Sequence, residues 1–215
     1  MSIVALIVDY FKEQLRQGFA PICLIVGRQR IGKTSLGLRL AYEFDKNFDI
    51  ESQFTFKILE FVKMYDKFEN KILILDEAGV ELDSFRAMEV RQRVLNHVIQ
   101  TQAYKHNLVF FILPFASEIG KAHRKHVNVV IDVYKRKGYK AYASWSWRPD
   151  MSMKPPRLSL IEDVYDVPLP PPHIWDKYKA ESEMQFKQSI LTNEKELLSL
   201  KENTKKERPV YATQW

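Results

Sequence analysis

The chain opens with an apolar run, SIVALIV, that gives way to Asp9, Lys12 and Glu13, and the spacing predicts an amphipathic helix over about residues 3–17. ICLIV (residues 22–26), ILIL (72–75) and LVFFIL (108–113) are apolar at every position, as strands buried on both faces are. FTFKI (54–58) alternates like a half-buried strand. Helices are expected over 33–44, over LEFVKMYDKF, and over residues 84 to about 104, the last capped by Asp83 or Ser84. VNVVIDVY and YKAYASWSW read as two strands joined around Lys137 and Gly138 in a hairpin.

Buried strands separated by helices require cover on both faces, so the predicted fold class is α/β: three layers around a mainly parallel central sheet, with a C-terminal hairpin and a helical tail. Residues 1–150 form the expected core. After Pro149 the pattern changes: prolines 155, 156, 168, 170, 171 and 172 break up regular structure, and LPPP reads as an extended arm. Helical spacing returns from His173 to about Asn203, so residues 151–215 read as a proline-rich arm and a tail that packs on the core or on a neighbouring subunit.

Charge adds a feature that the apolar pattern does not carry. Of the net +6, residues 121–148 supply eight Lys and Arg against Asp132 alone, while the remainder carries 25 basic and 26 acidic side chains. Clustered positive charge fits a polyanion partner. The single cysteine, Cys23, cannot form an internal disulfide and lies in a buried strand, which is compatible with a reducing, cytoplasmic setting. The first apolar run lacks a basic flank and a cleavage site, so neither a signal peptide nor membrane insertion is expected.

GRQRIGKTS places Gly27, Arg28, Gln29, Arg30, Ile31, Gly32, Lys33, Thr34 and Ser35 in the pattern G-x-x-x-x-G-K-[ST], after a strand and at the start of a helix. Such a loop turns backbone N–H groups toward phosphate oxygens and adds the positive end of the helix. Lys33 is expected to reach the β- and γ-phosphates of ATP, and the Thr34 hydroxyl to ligate Mg²⁺. ILILDEAG then ends a buried strand in two carboxylates. Asp76 is expected in the Mg²⁺ shell; Glu77 is placed to accept a proton from the attacking water, or else caps and orients the following helix.

GRQRIGKTS, ILILDEAG, a long helix and LVFFILP together resemble the additional-strand, catalytic-glutamate class of phosphate-loop ATPases. Within that class the chain is similar to FtsK/HerA-type ATPases of mobile elements and viruses, including genome-packaging ATPases of icosahedral viruses with internal membranes. The resemblance spans about residues 20–135. It implies a ring, hexameric in that class, that moves double-stranded DNA through a central pore, in the host cytoplasm if viral. It also implies a strand order that places the Gly27 loop between ILIL and LVFFIL. One departure stands out: the polar sensor, often Gln, that follows the strand after the acidic one is replaced by LPFASE, leaving Ser117 or Glu118 as substitutes.

Ring ATPases of this kind commonly use an arginine from the next subunit, worth roughly 10³–10⁵ in rate in related phosphoryl transfer. Arg86 and Arg93 share a helix face with Gln100, and Arg124 follows LVFFIL. Their alternative is a solvated face, or pairing with Glu81, Asp83 and Glu89. KRKGYK is placed to touch a DNA backbone without reading bases, or to protect a sheet edge. In YKAYASWSW, Tyr139, Ala141, Ala143, Trp145 and Trp147 share one face, as a stacking platform for bases or, more simply, as core under the arm. The five histidines show no zinc spacing with cysteine.

Three functions fit these residues: a DNA-translocating ATPase, a phosphotransferase acting on a small acceptor, and an ATP-gated interaction protein whose tail docks on a capsid or membrane protein.

Overall fold

Four apolar segments pair side by side and bury nearly every side chain they carry. The computed structural model describes residues 5–76, 93–94, 96–98, 101, 104–118, 126–144 and 158–206. In chain order these give α1 (Ala5–Arg16), β1 (Ile22–Val26), α2 (Lys33–Phe44), the single turn α3 (Ile50–Gln53), β2 (Phe54–Thr55), α4 (Ile58–Lys67) and β3 (Ile72–Asp76). After helical backbone at 93–94, 96–98, 101 and 104–105 follow β4 (Leu108–Leu113), β5 (Val129–Lys135), β6 (Gly138–Ser144), β7 (Leu158–Val164) and α5 (Pro172–Lys206). No described helix is long and apolar enough to cross a membrane.

The strands form one seven-stranded sheet in the order β2-β3-β4-β1-β5-β6-β7. Pairings from β2 to β5 are parallel, and the last two are antiparallel. Alternate side chains leave a strand on opposite faces, and two separate clusters result. Cys23, Ile25, Ile74, Phe110, Ile112 and Ile131 pack with Phe11 of α1, Leu38 and Leu40 of α2 and Ile174 of α5. On the other face Leu24, Leu73, Leu75, Val109 and Phe111 pack with Phe61 and Tyr65 of α4 and with Val94 and Val98. The architecture is the three-layer α/β fold expected from doubly buried strands.

Several expectations need correction. β4, not β1, lies between its two partners: Ile72–Asp76 pairs Leu108–Leu113, which in turn pairs β1. The phosphate-loop strand therefore lies outside the ILIL–LVFFIL pair. An apolar run reveals that a strand is covered on both faces but not which neighbours share its backbone hydrogen bonds. Residues 158–164 form a strand although prolines bracket them, because those prolines fall outside it and leave the N–H groups of LSLIEDV that face β6 free to pair. FTFKI contributes only two strand residues before α4 begins at Ile58, and α3 precedes it. β6 is an interior strand, so the KRKGYK hairpin does not protect a sheet edge.

The hairpin itself falls as expected, with Lys135 opposite Gly138 and Lys137 in the left-handed region at φ 59°. Tyr139 and Ala141 are fully buried in the first cluster, which is the core-packing alternative for that face; Trp145 and Trp147 lie outside the described residues. The tail helix starts on the core: Ile174 is buried, and Lys177 pairs Glu51 at 2.7 Å.

Candidate nucleotide-binding site

The loop between β1 and α2 bends where glycine is needed. Gly27 has φ 147°, and a Cβ there would lie 2.5 Å from the Val133 carbonyl oxygen of β5, so strand β5 leaves no room for a side chain. Gly32, at φ 108°, precedes α2 and gives it no side-chain cap. The first N–H groups of a twelve-residue helix are thus left without a side-chain acceptor, the arrangement that suits an anion. Arg30 adds a further positive φ of 60°. The Gly27 N–H donates to the Pro114 carbonyl at 3.3 Å, fastening the loop to the end of β4.

Lys33 reaches back across this turn. Its ammonium donates to the Gly27 and Arg28 carbonyls at 2.8 and 2.9 Å, so the charge sits within the loop and not in bulk solvent. Arg28, Gln29 and Arg30 are exposed, while Ile31, Thr34 and Ser35 are half-buried.

Asp76 is buried at the C-terminal end of β3. A carboxylate there needs hydrogen bonds, and the Thr34 hydroxyl supplies one to Oδ2 at 2.5 Å. That bond joins the start of α2 to a strand two places away across β4. The C-terminal helix contributes a third group that the sequence did not reveal. The Tyr178 hydroxyl lies beside Thr34 and Ser182, both of which act to lower its pKa. Tyr178, Thr34 and Asp76 thus come together at the start of α2. Burial first, and the Asp76 charge second, hold the Tyr178 hydroxyl above its ordinary pKa. Its ring stacks on Trp175 with centroids 5.2 Å apart and meets Phe54 edge-on at 5.8 Å. The available signal was the spacing of Trp175 and Tyr178 on one helix face.

These residues fit Mg²⁺ and a triphosphate. Thr34 and Asp76 are hard oxygen donors, brought into contact, beside a lysine and an uncapped helix start. Glu77, Arg86 and Arg124 lie outside the described residues. Arg93 is exposed beside buried Val94, and among the described residues no hydrogen bond or ion pair ties it to the loop. Ser117 is exposed in a single helical turn, Ala116–Glu118, just after β4. Of the basic hairpin, Lys137 and Lys140 face Asp166 and Asp163 at 3.7 and 3.6 Å, so part of its charge is answered within the protein.

No protein-family model matches this chain, and no curated protein does. Among solved structures the chain is similar to the N-terminal domain of zonular occludens toxin from Neisseria meningitidis. The TM-score is 0.39 and the identity 15%, covering 74% of this chain and 98% of that one.

Proposed function

We propose that this chain is a Mg²⁺-dependent ATPase that assembles as a ring in the cytoplasm and moves double-stranded DNA, as in genome packaging or mobile-element transfer. The observation that carries the catalytic part is the Thr34–Asp76 hydrogen bond, which brings the phosphate-loop helix and the acidic strand to one point. The basic surplus in residues 121–148 supports a polyanion partner.

In this reading the α2 N–H groups and Lys33 hold the phosphates, Lys33 leaving its two loop carbonyls for the β- and γ-oxygens. Mg²⁺, when bound, neutralises charge across those two phosphates. Thr34 and Asp76 would hold it, with the Tyr178 hydroxyl beside Thr34. Glu77, one residue past the buried Asp76, takes a proton from the attacking water. An arginine of a neighbouring subunit, drawn from Arg86, Arg93 or Arg124, meets the developing charge, and Ser117 senses the terminal phosphate.

Duplex DNA should stimulate hydrolysis, and Glu77→Gln should abolish turnover while retaining ATP binding. Hydrolysis that ignores DNA counts against translocation; full activity in Glu77→Gln removes the assigned base.

A second reading is favoured by one observation. The tail helix reaches Thr34 through Tyr178 and leaves Met184, Ile190 and Leu191 exposed, as an ATP-gated docking element for a neighbouring copy or a capsid or membrane protein would. Tight ATP binding with negligible turnover, with or without DNA, would select it.

A further inference from the structure

Across the C-terminal end of β1, from Phe115 after β4 to Asp132 of β5 and Tyr142 of β6, lies a cavity of about 940 Å³ that Gly27, Arg28 and Ile31 of the phosphate loop also border. We propose that it is the nucleobase subsite, taking an amino-bearing base such as adenine or guanine whose N–H donates to Asp132, with Phe115 and Tyr142 as its apolar contacts. This rests on the reading of the loop as a triphosphate site.

Sheet order supplies the direction. Asp76 ends the second strand from β1 on one side, about 10 Å across at ordinary strand spacing. Asp132 lies on β5, the next strand on the other side, opposite Val26 in register. A triphosphate with its terminal phosphate toward Thr34 and Asp76 runs across the loop and delivers its nucleoside over β5. The cavity borders Gly27, Arg28 and Ile31 of the loop itself.

The lining supplies the chemistry. Among the described residues the Asp132 carboxylate forms no hydrogen bond and no ion pair, although the residue is half-buried. Lys140, its backbone partner across the hairpin, is turned to Asp163 instead, as is the Tyr134 hydroxyl. An ionised carboxylate only accepts, so it selects a base presenting N–H donors. Adenine offers an amino group there, guanine an amino group beside a ring N–H, and uracil a single N–H flanked by two carbonyl oxygens that the carboxylate repels. Phe115 is 64% exposed at the mouth, an apolar ring that a planar base would cover.

Calorimetry on the full chain with Mg²⁺ and ATP, GTP, UTP or inorganic tripolyphosphate tests the assignment. ATP and GTP should bind at least about 10-fold more tightly than UTP or tripolyphosphate. Asp132→Ala and Phe115→Ala should each weaken ATP by roughly 5- to 10-fold and leave tripolyphosphate unchanged, which also shows that the variants remain folded. Tripolyphosphate binding as tightly as ATP, or ATP unaffected by both substitutions, overturns the subsite while leaving the phosphate site intact. Failure of both ATP and tripolyphosphate to bind the unaltered chain sinks the triphosphate reading, and the subsite with it.

Discussion

Toward β3, the polar atoms beside the phosphate loop already hold one another: Thr34 donates to buried Asp76, and Tyr178 reaches in from the last helix to join them. Toward β5 the same loop borders an open cavity in which Asp132 has no partner among the described residues. The difference follows from burial. A carboxylate as buried as Asp76 is tolerated only where donors surround it, and such a network can keep one geometry before a ligand arrives. A half-exposed carboxylate is solvated by water, pays no such penalty, and is left able to choose among ligands by hydrogen bonding. One side is set for charge chemistry and the other for selection.

Removing the charge on the ordered side should have the largest effect. Asp76→Asn preserves shape and still accepts the Thr34 proton, so the fold should survive. ATP hydrolysis should fall on the order of 10²-fold, as when one preorganised electrostatic group is lost. The Mg²⁺ concentration for half-maximal activity should rise with it, while affinity for ATP measured without Mg²⁺ stays nearly constant. An unchanged Mg²⁺ titration would place the metal elsewhere and break the contrast between the two sides.

A smaller effect is expected at Tyr178. Tyr178→Phe keeps the ring among Phe54, Phe56 and Trp175 and deletes only the hydroxyl beside Thr34. The loss should be about 1 kcal/mol, or a Tm lower by about 2–4 °C. Hydrolysis at limiting Mg²⁺ should drop a few-fold and recover at saturating Mg²⁺, because the Thr34 rotamer is freed but not removed. Tyr178→Ala should cost about 3 kcal/mol, since the ring contacts go as well. If Tyr178→Phe loses stability but keeps the native Mg²⁺ dependence, the helix is only a brace, and the ordered side contains two groups instead of three.

The two sides also differ in how far they could be read in advance. Gly27, Gly32, Lys33 and Thr34 are legible because a phosphate-cradling turn demands those residue types in consecutive order. Asp76 is legible because an acid at the end of ILIL contradicts its apolar surroundings. Tyr178 and Asp132 are not, since each acquires its place through tertiary contacts between elements distant along the chain. Helical periodicity says that Trp175 and Tyr178 face inward, without saying that the face they meet is β2 and the start of α2. β7 escaped notice for a related reason. Glu162 and Asp163 interrupt LSLIEDV, and only pairing with β6 explains acids in a strand. Strand neighbours were hidden for the same cause: LVFFIL is equally buried beside β1, beside β3, or between them.

The smallest effect lies farther out on the β5 side, where Glu162 provides a carboxylate intermediate between Asp76 and Asp132. It is half-buried and accepts from the Tyr139 hydroxyl at 3.0 Å and from the Ile7 backbone N–H. Burial nonetheless dominates those bonds and holds its pKa above the ordinary carboxylate value. The folded chain therefore binds a proton more readily here than the unfolded one. This contribution to stability is complete below the unfolded pKa and is lost as pH rises through the folded one. Glu162→Gln retains an oxygen for both donors and removes the charge. Its Tm should exceed that of the unaltered chain at pH 8 and converge with it at pH 4. A Gln variant that is less stable at pH 8 would mean that the two hydrogen bonds outweigh burial, making Glu162 a member of a satisfied network like that of Asp76 and moving the boundary between the ordered and open sides outward to β7.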